Sequence, residues 1–268
     1  MTVDTATRLR AIPSGLASEL TESAWNHGYR RAKGQADGWC FFASDINVPG
    51  EIALAVATDG AAWFLSVDHA GVAVELDAPR AAPVPQGMRA AFGFADQTAL
   101  RQALHRAYAL AISLPTLPLY EFEAAVAGLS DTGADRMTRV RIGQDHFRTA
   151  LMRYWDGRCP LTGVTEPALL RASHIVPWAK CSSDAERLDV HNGLLLSAHW
   201  DAAFDAGLVS FADDGTALFS STLAAPERQL LRYVAPLSLT EHHRSRMAWH
   251  RHFFGFQGRA LGPDPAVA

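Results

Sequence analysis

The stretch Arg171–Gly207, RASHIVPWAKCSSDAERLDVHNGLLLSAHWDAAFDAG, decides the fold of the carboxyl-terminal part of the chain. His174 lies in a short apolar segment, and a second apolar run follows Asn192, so two short strands are predicted. Asp201 and Asp205 are four residues apart among good helix formers, which places both carboxylates on one face of a predicted helix. A base on a strand and paired carboxylates on a helix suit metal-assisted hydrolysis of a phosphodiester.

Residues 158–211 resemble the HNH endonucleases, a family with a ββα-metal fold. The similarity rests on four short motifs in the family's order, and each is quoted as it stands here: RCPLTG, SHIVPW, NGLLL and HWDAAFDAGLVSF. An isolated SHI or NG would be uninformative, but the complete series is specific. Upstream, Arg141–Trp155 resembles the helix that commonly precedes this module.

The resemblance implies a role for each motif residue. His174 takes the place of the general base that activates water. Asn192 takes the place of the residue that orients that imidazole or supports the finger. Asp201, nine residues after Asn192, takes the place of the metal ligand on the helix, and Asp205 is expected to reach the same ion from one turn further on. Carboxylates favour Mg²⁺ as the divalent cation, with Mn²⁺ or Zn²⁺ as alternatives.

Ser173 departs from the family pattern, because many relatives have an aspartate or another ligand immediately before the first histidine. A serine hydroxyl is a weak, neutral ligand, so the metal would lose one charge on the strand side. Either Asp205 compensates, or the ion binds only when a DNA phosphate is present. His199 is a further candidate ligand, but it is offset by two residues from Asp201 and does not share its helix face.

These residues also have purely structural interpretations. His174 alone, in an apolar strand, would more often be a hydrogen-bonded core residue than a catalyst. Asn192 before Gly193 could be a turn residue with positive φ. Asp205 could cap the helix or pair with an arginine. An apolar stripe of the same helix is predicted to face the core: Trp200, Phe204 and Leu208.

The composition is that of a soluble enzyme of one large or two modest domains. Apolar residues make up 49% of the 268 residues, no uninterrupted apolar run reaches about 18, and the first residues lack the apolar segment of a secretory signal. The three cysteines form no CxxC pair. This predicts a reducing, cytoplasmic location and argues against a cysteine-bound structural zinc.

Charge is distributed unevenly along the chain. Residues 1–125 carry 9 Lys/Arg and 13 Asp/Glu, whereas residues 126–268 carry 15 of each. In that second half, arginines cluster before the motifs and again after them, and we expect double-stranded DNA as the partner. The alternative is that these side chains lie on solvated helix faces. The predicted nucleic-acid contacts are Arg148, Arg171, Arg244 and Arg246.

The chain is predicted to be an α+β protein whose carboxyl-terminal ββα-metal finger is flanked by helices. Residues 1–129 are expected to form a small α+β domain with a short antiparallel sheet and a role in target recognition. Residues 130–136 are a predicted linker, residues 137–220 the nuclease module, and residues 221–268 a basic helical tail.

Within the first domain, short strands are predicted between two helices. The predicted helices cover residues 15–32 and 97–114, and a shorter helix is predicted at 119–129. The predicted strands are Trp39–Ala43, Ile52–Ala57, Ala62–Val67 and Val72–Leu76.

These features together predict a metal-dependent DNA endonuclease of bacterial restriction or defence. One finger cuts one strand, so double-strand cleavage would require a homodimer or two successive events. Two alternatives stay open. The first is a finger that binds DNA without cutting it, which the departures at Ser173 and Asp201 favour. The second is an RNase or a toxin nuclease on the same fold.

Overall fold

The computed structural model describes Leu9 and residues 11–44, 48–81, 83–130 and 132–256. The chain divides into two compact units, Met1–Ile112 and Ser113–Ala268. The α+β prediction is confirmed, because helices are combined with antiparallel sheets in this structure.

In the described residues, unit 1 contains a five-stranded antiparallel sheet whose strands lie side by side in chain order. One face of the sheet packs Trp39 and Phe64 over small side chains such as Ala53 and Ala55, which leave room for the two rings. The elements are α1 (Ser14–Asn26), β1 (Arg31–Ala36), β2 (Trp39–Ala43), β3 (Glu51–Val56), β4 (Trp63–Val67), α2 (Ala70–Glu75), β5 (Ala90–Phe94) and α3 (Gln97–Ser113).

The helix predicted over residues 15–32 is too long. It ends at Asn26, because Gly28 has a φ of +90° and carries the chain out of the helix. The strand β1 follows from Arg31, and it was not predicted from the sequence. Asp37 and Gly38 connect β1 to β2, and both have positive φ, as a two-residue hairpin turn requires.

The strand predicted over Val72–Leu76 is wrong, since Val72 to Glu75 lie in α2 and Leu76 caps its carboxyl-terminal end. The ring of His69 accepts a hydrogen bond from the Val72 amide at 3.2 Å and so caps the helix. Val74 is 77% exposed, which fits the outer face of a short helix. The other three predicted strands and the helix at 97–114 agree with the structure to within one residue at each end.

Unit 2 contains, in its described residues, two antiparallel strand pairs among helices. The elements are α4 (Thr116–Val126), α5 (Gly133–Tyr154), β6 (Leu170–His174), α6 (Asp184–Leu188), β7 (Gly193–Ser197), α7 (Ala198–Asp205), β8 (Val209–Phe211), β9 (Ala217–Phe219), α8 (Ala225–Gln229) and α9 (Glu241–Phe253). The series β6, β7 and α7 is the predicted ββα finger.

The predicted linker, residues 130–136, does not lie at the boundary between the two units. Asp131 is outside the described residues, and α5 already begins at Gly133. Residues before the predicted linker belong to unit 2, because α4 packs against α5. The fully buried ring of Phe122 in α4 contacts the ring of His146 in α5 edge-on, with centroids 6.3 Å apart.

The segment predicted as a separate tail, residues 221–268, packs into the core of unit 2 through α9. Met247 is fully buried in the same apolar cluster as Trp200 and Phe204 of the finger. The predicted core position of those two aromatic residues is confirmed. Residues 257–268 lie outside the described part of the chain.

The register of the finger places the motif residues at one end of the strand pair. Ser173 lies opposite Leu194, and His174, the last residue of β6, lies opposite Gly193. The helix α7 begins directly after β7, so its first turns follow the strand without a loop. Both strands pack against α5 and α7, which fixes the two motif residues relative to the helices.

Candidate active site

The imidazole of His174 is held by a backbone carbonyl. Its Nε2 lies 2.9 Å from the carbonyl oxygen of Arg187, in the loop segment that connects the two strands. A carbonyl oxygen only accepts hydrogen bonds, so Nε2 must carry the proton. In the neutral ring, Nδ1 therefore has the lone pair and is the nitrogen that can accept a proton from water.

Two aromatic side chains fix the plane of this ring. Phe147 of α5 stacks on His174 with ring centroids 3.8 Å apart and an interplanar angle of 15°. Trp178 meets the imidazole edge-on at 5.7 Å. Burial lowers the pKa of His174, and the bond to the Arg187 carbonyl offsets this only in part. The ring is therefore neutral at pH 7 and able to act as a base.

Asn192 is fully buried and binds the backbone that follows His174. Its Oδ1 accepts from the Val176 amide at 2.8 Å, and its Nδ2 donates to the Val176 carbonyl at 3.1 Å and to the Glu186 carbonyl at 3.3 Å. The same Nδ2 lies 3.3 Å from Cys181 Sγ. The resemblance implied that Asn192 either orients the imidazole or supports the finger. These bonds fit the supporting role, while the Arg187 carbonyl orients the imidazole.

The Asn192–Gly193 pair is not a turn with positive φ. Gly193 has a φ of −149°, which any residue can adopt. A Cβ at this position would lie 2.4 Å from the ring of Phe147 and 2.7 Å from Leu151. The glycine thus permits α5 to approach β7 closely, and the same approach brings Phe147 onto His174.

The side chains of Ser173, Asp201 and Asp205 all bear oxygen atoms and lie close together. Ser173 is 2% exposed, and its hydroxyl makes no hydrogen bond of standard geometry. It acts as a weak, poorly aligned donor toward Asp201 and Asp205, and so lowers the pKa of each carboxyl group. Desolvation outweighs this effect and raises the pKa of both aspartates, and the charge of Asp201 raises that of Asp205 further.

This donor set fits a small divalent cation. Desolvation, and at Asp205 also the charge of Asp201, disfavours the ionised form of these carboxyl groups, and a bound cation would stabilise that form. Among the described residues, no group of three or more His, Cys, Asp or Glu side chains is placed to hold a metal. Ser173, Asp201 and Asp205 would supply only a few ligands, and Mg²⁺ usually keeps several waters. His199 is exposed and lies two residues before Asp201 on α7.

An HNH endonuclease family model matches residues 159–212. Residues 159–212 of this chain therefore form an HNH-like domain. The match begins at Cys159 and ends just after β8, so it contains the whole finger with Ser173, His174, Asn192, Asp201 and Asp205. A search of curated proteins finds no match to the chain. Within the described residues, every helix is too short or too polar to traverse a lipid bilayer.

Two of the four predicted phosphate contacts bind the backbone of the HNH domain. Arg148 donates to the carbonyls of Leu170 and Pro167, both at 2.8 Å. Arg171 donates to the carbonyls of Ala168 and Leu170, both at 2.9 Å, and its charge lowers the pKa of Asp201. These bonds hold the start of β6 in place.

The other two predicted contacts lie on α9 and differ in exposure. Arg246 is paired with the half-buried Asp189, the residue that begins the turn before Asn192. Arg244 makes an exposed ion pair with Glu241 at 3.6 Å. Of these two, only Arg244 presents its charge mainly to solvent.

Sequence reasoning missed three residues that surround the imidazole in the HNH domain. Phe147 and Trp178 are ring contacts from outside the strand pair. Trp178 ends the SHIVPW motif, but no periodicity marks either ring as a partner of a histidine. Arg187 contributes a backbone carbonyl, which any residue type could supply. Only its position among small and acidic loop residues, CSSDAERLD, could have drawn attention to it.

Proposed function

We propose that this protein is a metal-dependent DNA endonuclease in which His174 is the general base. Asp201, Asp205 and Ser173 would hold a divalent cation, with Mg²⁺ preferred and Mn²⁺ or Zn²⁺ as alternatives. The HNH domain indicates nuclease activity on nucleic acid. The observation that carries the proposal is the placement of the buried Ser173 hydroxyl beside Asp201 and Asp205, two carboxyl groups whose pKa values are both raised.

The imidazole is prepared for a single proton transfer. Nδ1 of His174 takes a proton from a water molecule as the water oxygen attacks phosphorus and the bond from phosphorus to the leaving oxygen breaks. Phe147, Trp178 and the Arg187 carbonyl keep the ring plane and tautomer fixed, so little reorganisation is needed at the moment of transfer. The proton that forms imidazolium is later released to solvent.

The acidic side chains provide the remaining chemistry through the cation they would bind. A bound divalent cation supplies charge stabilisation to the phosphate and to the leaving oxygen. Asp201 and Asp205 project from consecutive turns of α7, so they offer carboxylate oxygens from one face of a helix. Ser173 adds a neutral oxygen from β6, and its weak ligation makes the two aspartates the main determinants of metal affinity.

The substrate and setting are proposed by analogy with other HNH proteins. Double-stranded DNA is the proposed partner, and bacterial restriction or defence in the cytoplasm is the proposed setting. Unit 1 is the candidate for target recognition. A single finger cuts one strand, so double-strand cleavage would take a homodimer or two successive events.

The test is cleavage of supercoiled plasmid DNA with Mg²⁺, Mn²⁺, Zn²⁺ or EDTA. We compare the wild type with His174→Ala, and with His199→Ala as a matched histidine control on the exposed side of α7. Nicking by the wild type should require metal and should fall by about 10²- to 10⁴-fold in His174→Ala, the range typical of a lost general base. Methylated plasmid and single-stranded RNA serve as parallel substrates.

The outcomes separate the proposal from its rivals. DNA binding without cleavage in every metal would overturn the catalytic proposal in favour of a finger that only binds, which Ser173 in place of an acid favours. Faster cleavage of RNA than of DNA would overturn the substrate assignment. Equal loss of activity in His199→Ala and His174→Ala would overturn the assignment of the base.

A further inference from the structure

The carbonyl that holds the imidazole belongs to a loop with little regular structure. Between β6 and β7 the chain forms only the 3-10 turns Trp178–Lys180 and Val190–Asn192 and the five-residue helix α6. Such short elements do not fix a backbone position by themselves. The path of this loop must therefore depend on side-chain bonds.

The side chain of Arg187 ties this loop together at three points. Its Nη1 donates to the Asp184 carboxylate at 2.8 Å, its Nη2 to the Cys181 carbonyl at 2.8 Å, and its Nε to the Trp178 carbonyl at 3.3 Å. The guanidinium also lies over the Trp178 ring, 5.6 Å from its centroid. The planar fork of arginine matches this set of acceptors, whereas a lysine ammonium could not reach all of them.

The same residue contributes both the clamp and the acceptor. The Arg187 carbonyl accepts from His174 Nε2 at 2.9 Å, and the ring that Arg187 covers, Trp178, is the one that meets the imidazole edge-on. Displacing the guanidinium would thus loosen the carbonyl and the aromatic edge together. Both contacts orient one histidine, so their loss would act on that ring.

We infer that Arg187 is a positioning residue for the base, whose side chain closes the loop and thereby holds His174 in the tautomer with its lone pair on Nδ1. This inference rests on the proposed function for its catalytic consequence. The tautomer of His174, which is the structural part of the inference, can be measured whether or not the protein cleaves DNA.

The test uses full-length protein labelled with ¹⁵N-histidine, with His174→Ala to assign the His174 signals. Arg187→Met keeps the aliphatic stem but removes the fork, Arg187→Lys keeps the charge, and Asp184→Asn removes one charged acceptor in case Arg187→Met does not fold. Arg139→Gln is the control, because Arg139 also pairs with Asp184, at 3.2 Å, but from the exposed outer side. Tautomer, single-turnover cleavage at saturating DNA, and thermal unfolding are measured for each.

The wild type and Arg139→Gln should show one His174 tautomer, protonated on Nε2. Arg187→Met should show a mixture and should cleave about 100-fold more slowly, as expected for a misplaced catalytic group. Its apparent affinity for DNA should not change. Arg187→Lys should recover little of this loss, and Asp184→Asn should fall between the control and Arg187→Met.

An unchanged tautomer and rate in Arg187→Met and Asp184→Asn would overturn the inference, as would full recovery in Arg187→Lys, which would reduce the role to charge. If the wild type cleaves no nucleic acid, the proposed function fails, while the tautomer still decides the role of Arg187.

Discussion

Asn192 and Ser173 are both buried polar residues of the finger, but their hydrogen bonding is opposite. The amide of Asn192 donates to and accepts from the backbone around it, whereas the hydroxyl of Ser173 makes no bond of standard geometry and interacts only weakly with the carboxylates of Asp201 and Asp205. Buried polar groups are normally satisfied, so an unsatisfied one requires an explanation. We therefore expect the Asn192 side of the finger to act as a scaffold, and the Ser173 side to provide the proposed cation site.

The largest expected effect comes from breaking the scaffold. Asn192→Ala should destabilise the protein by about 3 kcal/mol, because it leaves the buried Val176 amide and carbonyl without partners. Ser173→Ala is the matched control, and its change should be below about 1 kcal/mol, since only weak interactions with Asp201 and Asp205 are lost. Urea unfolding of both variants measures the difference. Equal destabilisation would contradict the contrast between the two residues.

Adding charge to the ligand side sharpens the same comparison. Ser173→Asp places a third carboxylate beside Asp201 and Asp205, and in EDTA it should destabilise the protein by about 2 kcal/mol through repulsion and burial. Saturating Mg²⁺ should remove most of this penalty, because a bound cation compensates the added charge. Thermal unfolding with and without Mg²⁺ tests this. If Mg²⁺ does not change the loss of stability caused by Ser173→Asp, these three side chains do not bind the ion.

A third buried group, outside the finger strands, extends the comparison to pH. His250 of α9 stacks on Phe204 and is bonded to Ser210 and to the Phe204 carbonyl. Burial, and secondarily the charge of Arg251, lowers its pKa to about 4.

The unfolded chain binds a proton at His250 below about pH 6.5, whereas the folded chain does not. Above pH 6.5 the free energy of unfolding therefore includes the full stabilisation by the neutral, buried His250. This stabilisation is lost as the pH falls toward 4, by about 1 kcal/mol per pH unit. His250→Gln should flatten the pH dependence of unfolding between pH 6.5 and 4 by that amount. An identical slope in the two proteins would contradict the assignment.

The smallest expected effect concerns the two arginines of α9. Arg244→Gln should change stability by less than about 0.5 kcal/mol, because its ion pair with Glu241 is exposed. Arg246→Gln should be more harmful, since it leaves the half-buried Asp189 without its cation. If Arg244 contacts a phosphate, Arg244→Gln should also make the plot of log binding constant against log salt concentration less steep, by about one unit of slope. Fluorescence anisotropy at several salt concentrations measures this.

The sequence predicts the finger well because each of its signals is local. The run after Asn192 reads as a strand and the Asp201–Asp205 spacing as one helix face, and the structure contains both elements. The contact between His174 and the Arg187 carbonyl could not be predicted, since it is made by a backbone group 13 residues away. The role of Gly193 was likewise hidden, because it depends on the approach of another helix.

In unit 1 the errors have a different origin. The pair Asp37–Gly38 before the apolar WCFFA run is a hairpin signal that could have revealed β1. The helix predicted over residues 15–32 instead covers the first residues of β1. The two valines of α2, Val72 and Val74, alternate as in a strand, but the cap by His69 selects a helix. The sequence of unit 1 contains no comparable local motif, so its role cannot be predicted from its residues.

The most direct test of the central claim is the Mg²⁺ dependence of plasmid nicking by the wild type, Asp201→Asn, Asp205→Asn and His199→Ala. We predict that both aspartate variants need a much higher Mg²⁺ concentration for half-maximal nicking, or do not nick at all, while His199→Ala follows the wild type. Unchanged Mg²⁺ dependence in the two aspartate variants, or nicking by the wild type in EDTA, would contradict the assignment of Ser173, Asp201 and Asp205 as the metal site.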